Sequence, residues 1–182
     1  VARWSKGESD AAYALFNQSF ALYEKHSNQR GMAITTFHLG IIEDGWNHLD
    51  LALSLYEQSL AQLEQVGDLW GVTRLYQLLG QLFLKQGDLE KARYFFEKHL
   101  DSDERLQFRE GVVVALRNLG NFHRYQGDYV QAKLYFDRSL EVCQEYNLKD
   151  DKSKVLYFIG ILSLQQNNYV QALKSFRAFY EL

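Results

Sequence analysis

Four side chains that donate hydrogen bonds or carry charge, Arg117, Asn121, His123 and Arg124, crowd into "LRNLGNFHRYQGDYVQA" at residues 116 to 132. A guanidinium grips a carboxylate through paired N–H donors, and an amide both donates to and accepts from an extended backbone. That is binding chemistry. Nucleophilic or metal chemistry needs other combinations. The five histidines, His26, His38, His48, His99 and His123, form no HExxH and no His/Cys pair at metal-ligand spacing. His99 stands where Ser19, Ser59 and Ser139 stand in related positions, so it is expected to pack within a helix. Cys143 is the single cysteine, sits among apolar residues and has no identifiable base, so it reads as an inert, partly buried thiol. Asp101, Asp103, Glu104, Asp150 and Asp151 cluster as a solvated joint would. No glycine-rich phosphate loop is present. The expectation is a non-enzyme with no catalytic residue, no metal and no cofactor.

The elements that position this cluster follow from a repeat. Gly120 sits among Leu116, Leu119, Phe122 and Tyr125, which recur at helical spacing, although a glycine inside a helix costs about 1 kcal/mol against alanine. Steps of 40 residues place Gly40, Gly80, Gly120 and Gly160 in register, each preceded by Leu39, Leu79, Leu119 or Ile159. Twelve residues after each glycine comes an alanine, and the series runs one period upstream as Ala12, Ala52, Ala92, Ala132 and Ala172. Phe16, Tyr56, Phe96, Phe136 and Phe176 follow four residues later, then Phe20, Leu60, Leu100, Leu140 and Tyr180. The joints "WNHL", "QGDL", "QGDY" and "QNNY" supply Gly or Asn for positive φ and Asp or Asn to cap the next helix. Gly31, Gly71 and Gly111 mark the start of a first helix in three periods, with Asp151 in the fourth.

Between the joints the apolar period is 3.6, so every element is helical and the unit is an antiparallel helix pair. First helices are predicted near 29–45, 69–86, 109–126 and 149–166. Second helices are predicted near 9–26, 49–66, 89–106, 129–146 and 169–182. Gly120 then admits the neighbouring helix closely, and packing offsets its propensity cost.

Composition agrees with long helices and bounds the partners. The 182 residues are 47% hydrophobic and 15% aromatic, with no proline. A net charge of -3, from 20 basic and 23 acidic residues, gives no footprint for direct nucleic-acid or membrane binding. No apolar run reaches bilayer length and the start has no signal-peptide core, so the segment reads as cytoplasmic. It begins at Val1 and stops inside an amphipathic pattern, as an excised piece of a larger protein would.

"LGNFHRYQGDYVQAKLYFDRSL", with its Leu-Gly, Gly-Asp-Tyr, Ala and Phe landmarks, resembles the tetratricopeptide repeat (TPR), over essentially the whole chain. HEAT and armadillo units lack that order of landmarks. The period is 40 residues rather than about 34, and the proline that commonly ends the second helix is absent each time. The resemblance implies an all-α, right-handed TPR superhelical solenoid: one array over 1–182, with a preceding second helix at 9–26 and repeats near 29–66, 69–106, 109–146 and 149–182. The 40-residue form looks like the arms of multidomain bacterial signal-transduction ATPases and MalT-type regulators, and like spindle-orientation adaptors. TPR-bearing aspartyl phosphatases are also similar, but their active residue lies on a separate helical bundle with no counterpart here.

In such an array the first helices line a concave groove. The resemblance places Arg74, Gln77, Gln81, Leu84 and Lys85 there in one pair and Val114, Arg117, Asn121 and Arg124 in the next. Ile34, Phe37, Ile41 and Asp44 would flank one side, and Lys154, Tyr157, Ile161 and Leu164 the other. Peptide or partner binding is accordingly expected from Arg74, Gln77, Gln81, Lys85, Arg117, Asn121, Arg124 and Tyr157. The plainer reading is a solvated inner face. The two-carboxylate clamp of chaperone-binding TPRs is not reproduced, because Phe37 and Ile41 occupy its positions in the first pair.

The expected function is non-catalytic protein or peptide recognition, as the sensor or partner-binding arm of a larger bacterial regulatory protein in signal transduction or transcription regulation. The alternatives are a stand-alone adaptor or scaffold for extended peptides and, more remotely, a non-catalytic part of a multidomain enzyme. Phe176, Phe179 and Tyr180 would lie on an end face open to a further repeat or to self-association.

Overall fold

A computed structural model describes residues 6–181. Among the described residues the chain forms helices α1 (Lys6–Lys25), α2 (Gln29–Gly45), α3 (Leu49–Gln65), α4 (Leu69–Gln86), α5 (Leu89–Arg105), α6 (Arg109–Tyr125), α7 (Tyr129–Glu145), α8 (Lys149–Gln165) and α9 (Tyr169–Tyr180), and no strand. The predicted boundaries hold to within a residue or two wherever both ends are described, except that α1 begins at Lys6, three residues before the predicted start. None of these helices is long and apolar enough to cross a membrane.

The joints explain that regularity. Asp128 Oδ1 accepts from the Gln131 N–H at 3.1 Å, and Asn168 Oδ1 does the same for Gln171 at 3.1 Å. Each satisfies one of the orphan donors of a helix start. On the other side of the turn, Gly127 (φ 78°) and Asn167 (φ 58°) take the left-handed conformation. The Asp128 N–H then closes onto the His123 carbonyl at 3.0 Å, and the Asn168 N–H onto the Ser163 carbonyl at 2.8 Å, as in a Schellman stop. The degenerate joint "WNHL" keeps the left-handed Asn47 (φ 65°), but His48 makes no side-chain cap.

The chain divides into two compact units, residues 1–92 and 93–182, with the division in the first turn of α5. In unit 1, α1 packs on α2, α2 on α3, and α3 on α4. Ala52 and Tyr56 are buried on the inner face of α3, and the Tyr56 ring lies where a Cβ on Gly40 would stand, at 2.7 Å. Ser59 donates from α3 to the Ala33 carbonyl of α2 at 2.8 Å. The Arg30 guanidinium at the start of α2 reaches the Asp68 carboxylate at 2.8 Å, and that carboxylate caps α4 by accepting from the Gly71 N–H at 3.0 Å.

Unit 2 repeats the plan. A Cβ on Gly120 would stand 2.6 Å from the Phe136 ring, and one on Gly160 2.6 Å from the Phe176 ring. Ser139 donates to the Val113 carbonyl at 3.1 Å, the same bond that Ser59 makes one unit earlier. Val113, Ala132, Phe136, Cys143, Val155 and Leu162 form the core, with Phe158 and Ile159 packed against it.

One expectation is corrected here. Asp103 is not part of a solvated joint; it is buried, with its carboxylate 2.9 Å from Nε2 of the equally buried His99 one turn earlier on α5. Asp103 occupies the inner position that Leu63 and Cys143 hold in the repeats on either side, so the helix phase carries it inward whatever its charge. Burial is tolerated because the histidine pairs with it. Asp101, Glu104 and Asp150 are exposed, as expected, and Asp151 is partly covered.

Candidate functional site

The residues expected to bind lie on the first helices, and in each unit the first helices run side by side: α2 contacts α4, and α6 contacts α8. Gly40, Gly120 and Gly160 each sit on the side of a first helix that faces its second helix. Residues three before and one after each therefore fall about 60° and 100° around the helix, together on one side next to that buried face.

In unit 1, Arg74 donates from Nη1 to Gln77 Oε1 at 2.8 Å, and Gln77 is itself buried. One helix over, the Asp44 carboxylate accepts from Lys85 Nζ at 2.5 Å, tying the end of α2 to the end of α4. Gln81 is half-buried between these contacts along the helix. The structure thus groups Arg74 with Gln77 and gives Lys85 a partner, Asp44, placed by the sequence among the flanking residues. The nearby Tyr56 phenol has its pKa raised by burial and by the Asp44 carboxylate, against the opposing pull of Arg74.

In unit 2, Arg124 is the organising residue. Its Nε and Nη2 donate to Asn121 Oδ1 at 3.0 and 2.7 Å, and its Nη1 donates across to Gln165 Oε1 of α8 at 2.9 Å. The Arg124 guanidinium also lies 4.6 Å from the centroid of the exposed Tyr125 ring. Asn121 Oδ1 is spent on these two bonds, so what that amide offers a ligand is its N–H donors.

Arg117 differs. It makes no hydrogen bond or ion pair with any described residue, and its Nη1 is sealed from solvent. Its guanidinium lies 5.9 Å from the centroid of the Phe158 ring, and burial holds its pKa below the ordinary arginine range against the opposing pull of Asp151. Tyr157, next to Phe158 on α8, is 44% exposed, and its ring lies within 6.0 Å of Phe176 and 5.8 Å of Phe179. Tyr180 is 84% exposed.

Reactive alternatives find little support in the geometry. The Cys143 thiol is buried, and burial followed by the Asp151 charge pushes its pKa up to about 11, the reverse of an activated nucleophile. His123 stacks on Tyr135 at 5.3 Å and lies 3.6 Å from Asp128, packed beside the joint. Among the described residues no three His, Cys, Asp or Glu side chains gather as metal ligands.

Two features escaped the sequence reading. Gln165 lies just past the repeat landmarks, where nothing marks it as the partner of Arg124. Glu43 is buried although it is charged, with Oε2 2.7 Å from His48 Nδ1 and the Tyr13 phenol also bonded to it. The non-capping His48 of "WNHL" is the one sequence signal for that cluster, since its side chain is engaged by Glu43 instead.

Residues 49–105 and 111–182 match the tetratricopeptide repeat family, more than half of the chain, and the protein belongs to that family. No curated protein matches it. Among solved structures, BtubC (BKLC) from P. vanneervenii is similar at 18% identity and a TM-score of 0.78, over 94% of this chain and 72% of that one. The apo form of RapI is similar at 15% identity and a TM-score of 0.78, over 94% of this chain and 48% of that one. The Rap conjugation gene regulator of plasmid pLS20, solved in complex with the Phr* peptide, is similar at 16% identity and a TM-score of 0.75, over 87% of this chain and 45% of that one. The chain therefore spans about half the length of these Rap proteins. At such identities the likeness is one of fold: TPR-type helix pairs.

Proposed function

We propose that this chain is a non-catalytic module for recognising an extended peptide or partner protein, serving as the sensor or partner-binding arm of a larger regulatory protein, with its repeats acting as one array. The observation that carries the reading is the polar order on the first helices. Arg124 links Asn121 to Gln165 of the next first helix, and Lys85 links to Asp44 in the same way one unit earlier. Side chains fixed before a ligand arrives lose less conformational freedom on binding. A peptide-bound Rap relative with this fold supports the choice of ligand class.

The test is a selection of displayed random peptides on the purified chain, followed by titration of the enriched peptides against wild type and the Arg117→Ala/Asn121→Ala variant. Enriched peptides that lose at least tenfold in affinity for the variant support the reading. Binding that persists unchanged removes those residues from the site, and a selection that enriches no peptide contradicts the reading as a whole.

A further inference from the structure

We infer that α1 is held to α2 by an acid-sensitive latch, in which the His38 ring stays stacked on Phe16 only while it carries no charge.

Among the described side chains, α1 is the one helix that has none fully buried, so its docking on α2 rests on a few contacts. The Tyr23 ring lies where a Cβ on Gly31 would stand. The Tyr13 phenol is bonded to the buried Glu43 carboxylate, and its ring lies 5.2 Å from Trp46. Between them the Phe16 ring stacks on His38, 4.8 Å away and within 7° of parallel, and Phe37 lies across the same imidazole at 5.0 Å. In the other periods this position holds Leu78, Asn118 and Phe158, and Phe158 stacks on Phe136 much as His38 does on Phe16. His38 is therefore a titratable ring where the repeat elsewhere keeps an uncharged side chain.

No group around His38 favours its protonation. The titratable groups on the docked side of α1 are the phenols of Tyr13 and Tyr23, whereas its Glu8, Asp10, Glu24 and Lys25 are exposed. On α2 itself Glu43 is engaged by Tyr13 and His48, Asp44 by Lys85 of α4, and Arg30 by Asp68. The charged residues of α3, Asp50, Glu57 and Glu64, are exposed, and Arg74 of α4 is bonded to Gln77. Burial accordingly lowers the His38 pKa, with no carboxylate opposing it.

A histidine whose folded pKa is depressed adds stability that is fully present above its unfolded value of about 6.5 and is lost as pH falls through the folded value. The loss falls on α1, which has the least burial to hold it in place. Acid therefore frees α1 and uncovers the side of α2 beneath it, a local opening within unit 1.

Hydrogen exchange of the full chain at pH 7.5 and pH 5.0, corrected for the intrinsic exchange rate at each pH, reads the latch directly. Protection of the α1 amides should fall by about threefold or more from pH 7.5 to pH 5.0, against less than about twofold in α6 and α7. His38→Phe, which copies the stack of Phe158 on Phe136, should keep α1 protected and abolish the fall. Should His38→Phe fail to fold, His38→Gln carries the test. It lacks the stack, so α1 protection should be low at both pH values and differ by less than about twofold between them. His48→Gln, which alters the other histidine of this region, should leave the fall in place. A wild-type fall that is absent, that is shared equally by α6 and α7, that persists in the His38 variant or that His48→Gln abolishes overturns the inference.

Discussion

Gly120 lies under the ring of Phe136, sixteen residues further on, at a separation where a Cβ would come within 2.6 Å of the ring. Gly40 and Tyr56 stand in the same relation in unit 1, and Gly160 and Phe176 in unit 2. Phe136 is fully buried among Ala132, Val113 and Val155, so it has little room to withdraw. Gly120→Ala gains about 1 kcal/mol of helix propensity and loses about 1–3 kcal/mol to overpacking. A net loss of about 1 kcal/mol in urea unfolding is expected. Gly120→Ala combined with Phe136→Leu should lose less than the sum of the two single changes, because the contact they share is the source of the strain.

Tyr56 offers a change in the opposite direction. Its hydroxyl is buried with no hydrogen-bond partner, where the other periods place phenylalanine. Tyr56→Phe removes an unsatisfied polar group without altering the ring, and should stabilise the chain by about 1 kcal/mol. The sign with pH follows from burial, which raises the phenol's pKa in the folded state. The neutral phenol's contribution is fully present below its unfolded pKa of about 10 and is lost as pH rises beyond it. Wild type should therefore lose stability above pH 10 more steeply than Tyr56→Phe in parallel thermal melts.

Asp68 carries the acid side. The Gly71 N–H holds its carboxyl below the usual range, with Arg30 adding to the effect against the opposing pull of burial. That stability is present above the unfolded carboxylate pKa of about 4 and is lost as pH falls through the lower folded value. Asp68→Ala should lose about 1 kcal/mol at neutral pH, the usual size of a lost cap. Asp68→Asn keeps a cap and gives up a pair whose arginine is 67% exposed, so it should fall within about 0.5 kcal/mol of wild type. Both variants should unfold less steeply between pH 4 and pH 2 than wild type in chemical denaturation.

Cys143 gives a kinetic readout. With its folded pKa near 11, it is almost wholly protonated at pH 8. Native protein should react with iodoacetamide about a hundredfold more slowly than urea-unfolded protein, by thiolate fraction alone. Equal rates would mean that the thiol is neither buried nor raised.

Much of the fold was legible in the sequence because the signals that set it are local and repeated. The 40-residue glycine, alanine and aromatic series fixed which faces meet, and the Gly-Asp and Asn-Asn joints fixed where helices stop. The site was legible only as positions. Helical phase put Arg74, Gln77, Arg117, Asn121 and Arg124 on the first-helix faces, but which of them pair depends on side-chain reach between helices about one repeat apart in sequence. Arg124 with Gln165 and Lys85 with Asp44 are separated by 41 residues each, and no pattern in either helix announces such a partner. Asp103 misled for a related reason. Its acidic neighbours in sequence suggested solvent, whereas its helix phase and His99, one turn away, decide its burial.

The most direct test of recognition by the first helices is an amide NMR titration of the isotopically labelled chain with the tightest peptide from the display selection. Shifts concentrated on the first helices α6 and α8 of unit 2, with Asn121 and Arg124 among the largest, are the expected result. Shifts confined to α3, α5, α7 and α9, with those first-helix amides unmoved, would contradict it.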